Sequence, residues 1–338
     1  MNPKITNIMT ASKMKAIVMT GYGSPDVLTF QEVAKPVPKP DEVLLRVHAS
    51  SATTADGMMR TGTPYFGRLI LGLTKPKHPI PGTGFAGRVE AVGAGVTQFQ
   101  PGDRVFGETT LGFSANAEYL AVPESGVICR MPGQLSYAEA ATFCDGGITS
   151  WNYLRHLANI QPGQSVLING ASGSLGTAAV QLGKYLGAKV TGVCSTRNAG
   201  LVRALGADEV IDYTRKDFTK GTGTYDFIYD TVGKSSFQAC KPVLREKGQY
   251  LCPVLGLPLL LQMLKTQISG GKKAVFAATG LRSDEELRDM LIELIEIYKA
   301  GKLKMVIDRQ YPLEKVAEAH TYIAAGRKKG NVVITSAE

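Results

Sequence analysis

The chain has no Cys-x-x-Cys pair and no His-x-x-x-His pair anywhere in its 338 residues. Its five cysteines, Cys129, Cys144, Cys194, Cys240 and Cys252, are scattered and odd in number. The four histidines, His48, His78, His156 and His320, lie far from one another. Such spacing offers neither a zinc site nor a disulfide framework. It suits reduced thiols, most of them small buried hydrophobes, in a cytoplasmic compartment. Long apolar runs are also lacking. The strongest, residues 254–264, is broken by Pro258 and Gln262 and is too short to span a bilayer. Residues 1–15 hold no apolar core of signal-peptide length, and the first dozen are expected to form a loose polar leader. The net charge of +9 is dispersed, with Arg327-Lys328-Lys329 as the one tight basic cluster. No arginine–aromatic interleaving accompanies it, so the pattern argues against a nucleic-acid partner and for a surface excess or a phosphate-bearing ligand.

What is present begins with GASGSLG, residues 170–176. The apolar run Val166-Leu167-Ile168 precedes it, and Leu175, Ala178, Ala179, Leu182 and Leu186 recur after it at helical spacing. Strand, tight glycine turn and helix in that order form a cradle for a dinucleotide pyrophosphate. Gly173 lets backbone approach the phosphates, and Gly176 lets the helix pack against its strand. Gly170, Ser172, Gly173, Ser174, Leu175 and Gly176 are therefore candidate cofactor-binding residues.

The chain divides into two rhythms. Up to about Ala140 it reads as short β runs punctuated by glycine and proline, such as residues 43–47 and 87–92 and the turn PGDRVFG at 101–107. Beyond Asp145, helix and strand alternate, with strands expected at 165–169, 189–194, 209–211, 226–230, 249–253 and 273–277. Six such strands imply an α/β fold with a doubly wound parallel sheet of Rossmann type. An amphipathic helix is expected over 283–300, opened by the cap Ser283-Asp284-Glu285-Glu286, and a final strand over 331–335. Residues 253–273 join an apolar stretch to a basic end, and a core helix, a subunit contact, a lid over the pocket and a membrane-surface contact all remain open for them.

Carboxylates are absent from residues 177–207. In a Rossmann sheet the end of the second strand carries an acidic residue where NAD is preferred. Here that place reads Cys194-Ser195-Thr196-Arg197. Hydroxyls and a guanidinium would hold a 2′-phosphate that a carboxylate would repel. NADPH is the expected cofactor, with Ser195, Thr196, Arg197 and Tyr213 as its candidate ligands and Lys184 and the basic tail as further ones.

Together these features resemble the medium-chain dehydrogenase/reductase superfamily, in particular its zinc-free quinone oxidoreductase-like branch. The carriers are MKAIVMTGYGSPDVL at 14–28, PGTGFAGRVEAVGAGV at 81–96, GGITSWNYL at 146–154, the glycine turn, YDFIYDTVG at 225–233 and GNVVI at 330–334. The resemblance implies a GroES-like, mostly-β catalytic domain from residues 1–145 and 280–338, and a Rossmann dinucleotide-binding domain from 146–279. It also implies a homodimer. Where zinc-dependent members carry metal ligands, this chain has Thr53, Thr83 and Asp145, with Cys144 one residue away, so no metal site is expected.

The resemblance places Thr149 beside the cofactor and matches residues 51–56 to the loop lining the nicotinamide pocket. Thr53 and Asp56 are the first catalytic candidates, for polarising and orienting roles, although Asp56 equally suits a helix cap. Tyr65 is a candidate proton donor, with loop packing as its alternative. Without a metal, hydride transfer is easiest to an acceptor that delocalises the incoming charge. The expected activity is zinc-independent, NADPH-dependent reduction of a small lipophilic quinone or α,β-unsaturated carbonyl. The alternative is an NADPH-binding sensor or partner-binding protein with little turnover.

Overall fold

Val166, Leu167 and Ile168 are all buried completely, because the strand Ser165–Asn169 lies at the centre of a sheet covered on both faces. In the computed structural model, which describes residues 12–268 and 270–336, this strand belongs to a six-stranded parallel sheet. The sheet runs Glu209–Asp212, Lys189–Cys194, Ser165–Asn169, Tyr225–Asp230, Leu244–Leu251, Lys273–Val275. Numbered along the chain, that is the Rossmann order 3-2-1-4-5-6, and it reverses between Ser165–Asn169 and Tyr225–Asp230. The expected leader lies, except for Ser12, outside the described residues.

The fifth strand differs from its expected span of 249–253. It starts at Leu244, since Lys247 takes φ +64° and the ladder shifts register there, carrying the strand through the charged run Arg245-Glu246-Lys247. Its ladder ends at Leu251, ahead of Pro253, which has no N–H to give.

The second large sheet is built mainly from the first third of the chain and closed by its last strands. Its order is Ile307–Pro312, Asn331–Thr335, Glu42–Ala52, Gly84–Val92, Arg104–Glu108, Val127–Arg130, with Tyr119–Pro123 also paired to Glu42–Ala52. Asn331–Thr335 runs antiparallel to Glu42–Ala52, Val332 opposite Ala52 and Thr335 opposite Ala49. A separate hairpin joins Lys13–Met19 to Leu28–Ala34. The architecture is therefore a Rossmann sheet beside a GroES-like β domain.

The amphipathic helix is Asp284–Lys299, with Ser283 and Glu286 forming a reciprocal capping box. Its Leu287, Met290, Leu291, Leu294 and Ile297 are buried at helical spacing. They pack on Val127–Arg130 and on the wide turns Phe143–Ile148, so one helix binds both domains. Each such burial contributes about 1.5–3 kcal/mol. Phe143 anchors the junction, edge-on to Phe106 at 5.4 Å and to Tyr298 at 5.6 Å. Among the described residues no helix is long and apolar enough to cross a membrane.

Candidate active site

At the carboxyl ends of Ser165–Asn169 and Tyr225–Asp230, where the sheet order reverses, opens a cleft of about 870 Å³. The glycine turn forms its floor. Gly170 sits at φ +79°, and a Cβ there would lie 2.4 Å from Val232. A Cβ on Gly176 would lie 2.1 Å from the Gly170 carbonyl oxygen, so only glycine lets the helix Ser174–Tyr185 come this close. Gly173 is different: a Cβ there would meet only the Gly170 oxygen at 3.5 Å, leaving the space on its cleft side open. As the helix N-cap it offers no side-chain acceptor to the first N–H groups, which remain available to an anion.

Ser172, Ser174 and Leu175 also line the cleft. The Ser174 hydroxyl lies 2.6 Å from the Asp145 carboxylate and 2.5 Å from the Asn331 amide oxygen, tying the turn to both neighbouring segments. Asn198 donates to the Ser172 hydroxyl at 2.9 Å, and its own buried Oδ1 has no partner among the described residues. A crowded glycine cradle, free helix N–H groups and an orphaned amide oxygen fit a dinucleotide.

At one end stand Ser195, Arg197 and Tyr213. Thr196 points away and donates its hydroxyl to Asp212. That bond, with those from the Thr214 hydroxyl and N–H, holds the Asp212 carboxyl below its usual range. The cleft-lining Asp217 is likewise turned to its own loop, accepting from the Thr219 N–H at 2.9 Å and hydroxyl at 2.7 Å. Arg197 donates to the Arg327 carbonyl at 3.4 Å, bringing the basic tail to this wall. Lys328 follows on the wall with its ammonium in no hydrogen bond or ion pair among the described residues. Desolvation pushes its pKa down against the pull of Asp145, Asp56 and Asp308. Lys184, in contrast, is paired with Asp208 at 2.8 Å, off the wall.

The opposite end is shaped by Asp145 and Thr149, by Thr231 and Val232, and by Thr279. Asp145 and Thr149 come from a helix whose flanking turns are wide and π-type, a feature with no sequence signal. Buried Asp230 organises the loop above the fourth strand, accepting from Asn169 at 2.8 Å, Ser235 N–H at 2.9 Å and the Tyr250 hydroxyl at 2.8 Å. Burial and that carboxylate drive the Tyr250 phenol far above its usual range.

Three sequence candidates stand elsewhere. Thr53 and Asp56 cap the helix Thr54–Thr61: Asp56 Oδ2 accepts from the Thr53 N–H and hydroxyl at 2.8 Å each, while Thr53 Oγ1 accepts from the Asp56 N–H at 3.0 Å. Their neighbours Thr54, Ala55 and Met58 reach the cleft instead. Burial pushes the Asp56 carboxyl up to about 6, and its Oδ1 has no partner among the described residues. Tyr65 is 73% exposed on the outer loop, with the Arg68 guanidinium over its ring at 4.9 Å. Glu108 was not a sequence candidate. Burial first, then the charges of Asp145 and Asp56, push its carboxyl up to about 7. Among the described residues no group of three or more His, Cys, Asp or Glu side chains is placed to hold a metal ion.

Comparison with known proteins agrees with this geometry. Residues 39–141 match the alcohol dehydrogenase GroES-like domain, and residues 205–334 match a model described as zinc-binding dehydrogenase. The chain is 32% identical to a chloroplastic quinone-oxidoreductase homolog of Spinacia oleracea, over 96% of this chain and 99% of that one. It is 33% identical to the 2-methylene-furan-3-one reductase of Solanum lycopersicum, over 97% of this chain and 81% of the other. The quinone oxidoreductase structure from Coxiella burnetii superposes with a TM-score of 0.85 at 26% identity, covering 96% of this chain and 99% of that one. The chain thus belongs to the medium-chain dehydrogenase/reductase superfamily, in its quinone oxidoreductase-like branch, and is an oxidoreductase that uses a nicotinamide cofactor.

Proposed function

We propose that the protein is an NADPH-dependent, zinc-independent reductase of quinones and α,β-unsaturated carbonyls. The observation that carries the cofactor preference is the wall at the end of the second strand. Ser195 and Arg197 stand there in place of a carboxylate, and Arg327 adds a second guanidinium. Asp212 and Asp217, the nearby acids, spend their oxygens on Thr196, Thr214 and Thr219.

When bound, NADPH supplies a hydride from its C4, which with one proton from water converts a quinone to its hydroquinone or an enone to its saturated ketone. The chain's part is to orient and to exclude. The glycine turn and helix N-terminus take the pyrophosphate, and Arg197 the 2′-phosphate, leaving the other end to the nicotinamide and acceptor. Neutral hydroxyls of Thr149 and Thr279 stand there next to the Asp145 carboxylate. A localised alkoxide would find little stabilisation beside it, whereas charge spread over a conjugated acceptor asks for less. The relatives named for quinones and for a 2-methylene-furan-3-one support the same substrate class.

The test is NADPH oxidation with a quinone, a 2-alkenal and a simple aldehyde, with and without chelator, and with NADH as control. Chelator-insensitive turnover of the quinone or alkenal with preference for NADPH is expected. Loss of turnover on chelation, or tight NADPH binding with no turnover on any acceptor, would overturn the reading.

A further inference from the structure

Asn152 is buried completely, and its Nδ2 donates to the Thr279 hydroxyl at 2.9 Å. Its Oδ1 has no partner among the described residues. Turning the amide over would face Oδ1 to the hydroxyl and leave the N–H groups unpaired instead. Buried amide N–H groups go unpaired more rarely than carbonyl oxygens, so the observed orientation is the favoured one. The Thr279 oxygen therefore accepts, and its own hydrogen meets no acceptor among the described residues. Thr279 is 7% exposed and lines the cleft, so the cleft is where that hydrogen is left to act.

The segment carrying Thr279 is held firmly. Asn152 and Tyr153, adjacent in Asn152–Leu157, both grip it. The Ala277 N–H donates to the Tyr153 hydroxyl at 2.8 Å, and that hydroxyl lies 3.1 Å from the Cys252 carbonyl oxygen. Thr279–Leu281 then packs on Thr110–Gly112 of the β domain, which places Thr279 at the seam between the two domains.

We propose that Thr279 donates its hydroxyl hydrogen to the carbonyl oxygen of the bound acceptor, with Asn152 as the positioning residue that turns the hydroxyl. The inference rests on the reductase reading above. As hydride adds to the β-carbon of an enone, the π electrons shift and the charge gathers on the carbonyl oxygen. A proton from water then joins the α-carbon and restores the carbonyl, so Thr279 keeps its own hydrogen throughout. A donor aimed before the reaction starts costs no reorganisation during it. One neutral donor suits charge shared along a conjugated system and is too little for a localised alkoxide.

The experiment compares the wild type with Thr279→Val and Thr279→Ser, using 2-cyclohexenone at saturating NADPH. Thr279→Val keeps the shape of the side chain and removes its O–H. It should lower kcat/KM about tenfold or more, mainly in kcat, with unchanged NADPH affinity and unchanged thermal melting. Thr279→Ser should recover most of the loss. Asn152→Leu should cost about threefold in the wild type and nothing further beside Thr279→Val, because it acts through that hydroxyl alone. Wild-type turnover with an equal kcat/KM in Thr279→Val, or a loss confined to NADPH affinity, would overturn the proposal and leave the reductase reading standing. Equal losses from Asn152→Leu in both backgrounds would overturn the positioning role. No turnover by the wild type would overturn the reductase reading itself, and this inference with it.

Discussion

The backbone N–H of Gly330 donates to the carbonyl of Ser172 at 2.8 Å, pinning the strand that closes the GroES-like sheet to the glycine turn of the Rossmann sheet. Gly330 sits at φ +71°, and a Cβ would lie 2.2 Å from the Val306 oxygen, so the join requires glycine. Its consequence is that Arg327 and Lys328 face the cleft.

Lys328→Gln removes an ammonium that makes no hydrogen bond or ion pair among the described residues. Affinity for NADPH and NADH should fall together, by about tenfold each, because the charge answers a phosphate common to both. Titration calorimetry with both dinucleotides checks this.

Arg197→Ala should separate the two cofactors. A charge-assisted hydrogen bond is worth about 1.5–3 kcal/mol, so the Kd for NADPH should rise about tenfold or more while that for NADH barely moves.

Gly173→Ala and Gly176→Ala should fail differently. The Gly176 Cβ would lie 2.1 Å from a backbone oxygen, and a loss of about 3 kcal/mol in stability is expected. The Gly173 Cβ meets only the Gly170 oxygen, at 3.5 Å. That variant should melt like the wild type and lose dinucleotide binding.

Asp56 should make stability fall with rising pH. Burial raises its carboxyl from 3.8 to about 6, so the native state holds the proton more tightly than the unfolded chain. The contribution is complete below about pH 4 and is lost as pH rises through 6, by up to about 3 kcal/mol. Asp56→Asn keeps an oxygen for the Thr53 cap and should flatten this part of a denaturation profile measured across pH.

Much of this was legible because it is local. The strands Ser165–Asn169 and Lys189–Cys194 and the cap Ser283 to Glu286 follow from apolar periodicity and cap chemistry, and stand where the sequence puts them. The glycine turn was equally readable, since Gly176 answers a demand of its own helix. What stayed hidden depends on distant chain. Lys328 reaches the cleft through a backbone bond to Ser172, and Glu108 owes its raised carboxyl to burial near Asp145 and Asp56. Asp56 carried two readings and Thr53 one, and their reciprocal hydrogen bonds place both in a cap beside the cleft rather than on its wall.

The most direct measurement follows deuterium from NADPH labelled at C4 into an α,β-unsaturated ketone, read by mass spectrometry of the product. Hydride transfer predicts one deuterium on the β-carbon and a solvent proton on the α-carbon, unchanged by chelator. Saturated product without label, or no saturated product while NADPH is bound tightly, would contradict the account.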